Sequence, residues 1–145
     1  MSRSDDKTNL EKEVPTWKGG CHCGKVRFTL RAHLLGADAV HIVHCNCSIC
    51  TLKGFLHLIV EKECFSLLSS DDELQLYTFG THQAKHTFCA NCGIHSFYPP
   101  RSHPEGISVN VHALDGIRSL KVHIEDLKIQ PFDGQNWENN IESLR

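Results

Sequence analysis

Cysteine placement constrains this chain more than any other feature. Seven of its eight cysteines fall into three short groups: Cys21 and Cys23 in GGCHCGKV, Cys45, Cys47 and Cys50 in HCNCSIC, and Cys89 and Cys92 in FCANCG. The opening residues MSRSDDKTNLEKEV lack the apolar centre of a signal peptide, and no stretch reaches the length of a membrane helix. A cytoplasmic or nuclear address is therefore expected, where thiols stay reduced and available to metals.

Cys89 and Cys92 form a C-x-x-C knuckle, the spacing that folds two thiolates around one tetrahedral ion. Cys21 and Cys23 sit among glycines that let the backbone bring amide groups close to sulfur. Together the two pairs make a four-cysteine zinc site that ties the start of the domain to its middle. The competing reading is a set of reduced structural cysteines or redox dithiols.

The middle group is one thiol short. In an extended segment Cys45 and Cys47 share a face, and a turn after Cys47 brings Cys50 round to the same ion. His44 then points away from the sulfurs, which makes it a poor fourth ligand. Three protein ligands plus an open position is the pattern of catalytic zinc, whereas a distant histidine among the eleven in the chain would close a structural site of three cysteines and one histidine. Cys64, alone in EKECFSLL, reads as a small core residue, although it too could complete the second site.

At 145 residues the chain suits one domain, with a flexible lead over 1–16 and the zinc-binding domain over 17–145. A net charge of −2, spread without blocks, gives no footprint for nucleic acid or an anionic membrane. Short alternating stretches follow one another in GKVRFTLR, DAVHIVHC, GFLHLIV, ELQLYTF, KHTF, IHSFY and ISVNV, each read as a strand. Turn residues stand at Gly19-Gly20, 69–72, 91–93 and 99–104. Helical spacing shows in Trp137, Ile141 and Leu144, within a predicted helix over 135–144. The class that results is mostly β with a short C-terminal helix.

Three thiolates around a divalent ion leave a net charge of −1, which weakens water activation and favours exchange of a soft sulfur ligand. The chemistry expected of an open three-cysteine zinc is therefore the making or breaking of a carbon–sulfur bond, with a thiolate as nucleophile. Candidates to position the thiol's carrier are His82, Lys85 and His86, and Arg101, Ser102 and His103 in the double-proline loop. Each of these also reads as an ordinary solvated loop residue.

Taken together, G-x-C-H-C-G-x-V at 19–26, H-C-x-C-x-x-C at 44–50 and F-C-x-x-C-G at 88–93 resemble the glutathione-dependent formaldehyde-activating family. Residues 77–104 are most similar to its centromere protein V branch, and VNVHALD places Asn110 and Asp115 in the family's frame. The resemblance implies an Mss4-like fold of short twisted antiparallel sheets around two Zn2+ ions. It also implies a structural zinc on Cys21, Cys23, Cys89 and Cys92 and a catalytic-type zinc on Cys45, Cys47 and Cys50. The implied activity is that of a carbon–sulfur lyase joining glutathione to formaldehyde as S-(hydroxymethyl)glutathione. The centromere protein V branch implies a different role, a zinc-stabilised binding module acting through protein, chromatin or cytoskeletal partners.

Overall fold

The computed structural model describes residues 14–136. Among these residues ten strands form three small sheets. In chain order they are β1 (Thr16–Gly20), β2 (Arg27–Arg31), β3 (His41–Cys45), β4 (Leu56–Glu61), β5 (Phe65–Leu67), β6 (Leu74–Tyr77), β7 (His86–Cys89), β8 (Phe97–Tyr98), β9 (Gly106–Asn110) and β10 (Lys128–Phe132). Two short α-helices, α1 (Ser48–Lys53) and α2 (Asp115–Arg118), and several 3-10 turns lie between them. Among the described residues no helix is long and apolar enough to cross a membrane.

β1, β2 and β5 make one sheet, β10, β3, β4, β9 and β8 a second, and β6 with β7 a third. The ladders are antiparallel except for β10, which runs parallel to β3 at the edge of the central sheet. Pro131 lies within β10, and an edge strand tolerates a residue with no N–H to donate. That proline is why KIQPF does not read as a strand in the sequence.

β2 shows how patterning becomes packing. Phe28 and Leu30 are buried while Arg27 and Thr29 are half-buried and Arg31 is exposed, the period-2 alternation of a sheet with one wet face. The Phe28 ring stacks on Phe65 at 5.3 Å and meets Phe97 edge-on at 5.9 Å, so it joins the first sheet to the second. Truncating such a ring to alanine costs about 3–5 kcal/mol.

Gly19 and Gly20, expected in a turn, instead close β1 opposite Phe28 and Arg27. A Cβ on Gly19 would stand 2.6 Å from both the Ala113 carbonyl and the tip of the Phe28 ring. The glycine is there for close approach rather than for turning.

The connection that matters for the site is β3–α1–β4. β3 and β4 share only two ladder pairs, Val43 with His57 and His44 with Leu56, and α1 fills the link between them. Gly54 ends α1 at φ 65°, its N–H capping the carbonyls of Cys50 and Thr51. This left-handed stop turns the chain at once into β4 and sets Cys50 of α1 beside His57 of β4. The helix predicted over 135–144 lies outside the described residues except at its start, where Gly134–Asn136 form a 3-10 turn.

Candidate metal centres

The first cysteine group joins two sheets. Cys21 follows β1, Cys89 ends β7, and Cys23 and Cys92 lie in the turns beyond them. The four sulfurs lie within 4.8 Å of one another, an arrangement that can hold a metal ion. The Cys21 to Cys23 and Cys23 to Cys89 sulfur separations are both 3.6 Å. Tetrahedral zinc with bonds of about 2.3 Å would set sulfurs about 3.8 Å apart, so little movement is needed.

Backbone amides point at these sulfurs. Val26 N–H donates to Cys21 Sγ at 3.3 Å, and the amides of Asn91 and Cys92 donate to Cys89 Sγ at 3.3 and 3.4 Å. Such donors stabilise the thiolate form, which is the metal-binding form. The Asn91 side chain, with the Lys25 amide, lowers the exposed Cys23 thiol to about 6.

The second group is built from one short connection. Cys45 is the last residue of β3, Cys47 caps the N-terminus of α1 with extended backbone, and Cys50 lies inside that helix. His44 is exposed where Cys45 is buried, so strand alternation turns the imidazole away from the sulfurs. The three sulfurs gather within 4.8 Å of one another and can hold an ion; among the described residues no histidine nitrogen and no other thiol belongs to the group. Hydrogen bonds from Cys45 and then Cys50 lower the Cys47 thiol to about 2. The shared hydrogen bonds with Cys45 and Cys47, together with burial, push Cys50 up.

Around these sulfurs stands a shell of buried polar side chains. His57, 5% exposed on β4, places Nε2 3.1 Å from Cys50 Sγ and Nδ1 2.8 Å from Ser108 Oγ on β9. The Tyr98 hydroxyl lies 3.4 Å from the same Nδ1. Two hydroxyl donors converge on Nδ1, so this nitrogen accepts and Nε2–H donates to the sulfur. Burial, and then the nearby Lys53 charge, hold His57 neutral by lowering it to about 3.

Lys53 ends α1 with its ammonium 4.7 and 4.8 Å from the ring centres of Phe55 and Tyr98. Its Nζ donates to His86 Nδ1 at 3.2 Å. Among the described residues no carboxylate pairs with it; the charges that favour its protonated form are the Cys50 and Cys47 thiolates. Burial nevertheless lowers the lysine to about 8. His86 is itself lowered to about 4, by burial and then by Lys53.

A cavity of about 420 Å³ opens beside this group. Cys45, Cys47 and Cys50 form part of its wall, facing His86, Tyr98 and Arg101. A container of this size suits a small-molecule ligand.

Of the six residues proposed from sequence to position a ligand, His86, Arg101 and Ser102 border this cavity. His82 and Lys85 do not; both are exposed, His82 bonding to Thr78 and Lys85 to the His82 carbonyl. His103 borders a separate groove beyond Ser102. Cys64 belongs to neither sulfur group and packs against the main core. Asn110 and Asp115 serve the scaffold: Asn110 caps the turn at His112, and Asp115 pairs with Arg27 at 3.0 Å.

Lys53, His57, Tyr98 and Ser108 were not singled out from the sequence. His57 did leave a signal, a titratable side chain inside the apolar run GFLHLIV, where burial without a partner would be costly. Lys53 in TLKG reads as an ordinary basic residue near a helix C-terminus.

The model of the glutathione-dependent formaldehyde-activating enzyme family matches residues 16–128. A crystal structure of a Rhodobacter sphaeroides protein from a structural genomics programme is 37% identical, with a TM-score of 0.63. That similarity covers 79% of this chain and 97% of the bacterial one. The family match spans all seven clustered cysteines and every strand of the fold but the last, whose first residue it reaches. This chain belongs to the glutathione-dependent formaldehyde-activating enzyme family.

Proposed function

We propose that the protein binds two zinc ions and uses the one at Cys45, Cys47 and Cys50 to take up a thiol such as glutathione for addition to formaldehyde. The observation that carries this reading is a contrast between the two sulfur groups. One has four sulfurs, enough to complete a tetrahedral ion; the other has three, and these border a cavity. Family membership supplies the reaction class, glutathione-dependent formaldehyde activation.

Zinc at the second group would supply a soft site that takes a thiol in its thiolate form at neutral pH. The protein's own residues do the rest. His57 donates to Cys50, which fixes that sulfur's direction in the cavity wall it shares with Cys45 and Cys47. Lys53 offsets the negative charge of the cluster from within the fold. Arg101 and Ser102 on the cavity rim offer donors for a carboxylate or amide of the thiol's carrier.

Metal analysis tests the reading first, with two zincs per chain expected. Glutathione titrated against protein carrying Co2+ at the second site should then shift the sulfur-to-metal charge-transfer band. No change at millimolar thiol would mean that no thiol enters the site and would refute the enzyme reading.

A further inference from the structure

The proposed reaction leaves one proton unassigned. When a thiolate sulfur forms a bond to the carbon of formaldehyde, the C=O π pair moves to oxygen, and the resulting alkoxide needs a proton. We propose that Lys53 and His86 form a proton relay to this oxygen, His86 Nε2–H donating to it while Nδ1 takes a proton from the Lys53 ammonium. The inference rests on the thiol-addition reading above and assigns its acid.

Geometry is the ground for it. Lys53 Nζ is 3.2 Å from His86 Nδ1, so the ammonium is the donor, Nδ1 the acceptor, and the ring proton is left on Nε2. The His86 ring is 3% exposed and borders the cavity that the three sulfurs also border. It is clamped between Phe79 at 5.5 Å and Tyr98 at 4.7 Å, with interplanar angles of 20° and 30°. A ring stacked on both faces keeps one orientation, which a proton donor needs.

The surroundings favour passage of a proton rather than storage of charge. Facing Lys53 and His86 are Cys47 at the cap of α1 and Cys50 within it, His57 from β4, and His95 and Tyr98 from the segment ending in β8. No carboxylate among the described residues holds the ammonium in a fixed ion pair. The transfer from Lys53 to His86 is therefore short and takes place inside the fold, between the thiolate cluster and the cavity.

The step balances. The sulfur lone pair becomes the S–C bond, oxygen gains the proton of His86 Nε2, Nδ1 gains one from Lys53, and the lysine is left as the neutral amine. The proton that the thiol gave up on binding returns to His86 Nε2 as Nδ1 hands its proton back to the lysine amine, which resets both groups, so the net change is thiol plus aldehyde to hydroxymethyl thioether.

The test compares the zinc-loaded wild-type protein with Lys53→Arg and His86→Gln, following glutathione–formaldehyde exchange by NMR against the uncatalysed background across pH. Arginine keeps the positive charge and cannot release a proton; glutamine keeps polarity without the relay. Positioned acids contribute about 10²–10⁴-fold, so each variant should lose at least about 10²-fold in kcat. Thiol KM should change by less than about threefold, and the double variant should be no slower than either single one. Wild type should lose rate on the alkaline side as the lysine deprotonates, and Lys53→Arg should lack that limb.

Wild-type rate and an unchanged alkaline limb in Lys53→Arg would overturn the relay while leaving thiol addition standing. Absence of any exchange above background in wild type would remove the reaction itself and the relay with it. Should His86→Gln fail to fold, Lys53→Arg alone decides.

Discussion

Replacing Gly134 by alanine tests the second metal centre without touching a sulfur. A Cβ at this position would overlap Cys45 Sγ and would lie 3.0 Å from Cys47 Cβ and 3.4 Å from the Cys47 amide. The backbone of Gly134 is not left-handed, so alanine is not penalised there for conformation. Its reduced freedom in the unfolded chain should even add about 0.4–1 kcal/mol of stability.

Overpacking against a formed core costs about 1–3 kcal/mol, so the net loss is centred near 1 kcal/mol. In a domain of this size that lowers Tm by about 4 °C. The larger effect falls on the metal. Zinc–ligand distances tolerate only about 0.2 Å, and the clash pushes Cys45 Sγ, a sulfur at the end of a strand with little room to yield.

The assay is stepwise chelation with a chromogenic competitor, read beside thermal melting. One zinc should leave Gly134→Ala at a competitor concentration at least about tenfold lower than in wild type, while the other leaves unchanged. Two zincs released as in wild type, with the same Tm, would refute the placement of the second ion against Gly134.

The two sulfur groups should fail in different ways. Cys89→Ser should lose one zinc and most of its stability, because zinc–thiolate binding can supply folding free energy on the order of 10–16 kcal/mol; an unchanged melting curve would refute the structural role. Cys47→Ser should also lose one zinc yet melt close to wild type, with no charge-transfer response to glutathione in its Co2+ form. His57→Leu should cost about 1–3 kcal/mol in denaturant titrations, since it leaves the fully buried Ser108 hydroxyl without its acceptor. Arg27→Met should cost well under about 1 kcal/mol at neutral pH, the paired side chains being 34% and 44% exposed. Its hydrogen bond and charge hold the Asp115 carboxyl below its ordinary range, so this contribution is present above about pH 4 and lost as pH falls through the depressed value. Wild-type and Arg27→Met stabilities should therefore converge in acid.

Local signals were legible where spacing in sequence equals spacing in space. C-x-C and C-x-x-C place their sulfurs within one turn, and Cys45, Cys47 and Cys50 meet because a strand end and a helix start are separated by only a short link. Alternation exposed β2, β3 and β9 for the same reason. β10 was hidden by Pro131, which the edge of a sheet accepts, and β5 by its length of three residues. His57, Ser108 and Tyr98 meet only through the register of the central sheet, where His57 pairs with Asn110 and Tyr98 with Ser108. No motif records a register, so these residues look like ordinary strand positions until the sheet is assembled.

That difference bears on how the second centre differs from the first. The four-sulfur group is supported mostly by backbone amides, which any side chains in the same turns would supply. The three-sulfur group depends on side chains: His57 at Cys50, Ser108 behind His57, and Lys53 as the cation whose charge the thiolates favour. Backbone support suits a site that needs only to persist. Side-chain support sets charge and proton position at the sulfur itself, which is what a centre that exchanges a ligand and moves a proton requires. Substitutions at Lys53, His57 and Ser108 should accordingly change thiol affinity or rate before they change zinc content, whereas changes around Cys21 and Cys89 should act on zinc and fold together.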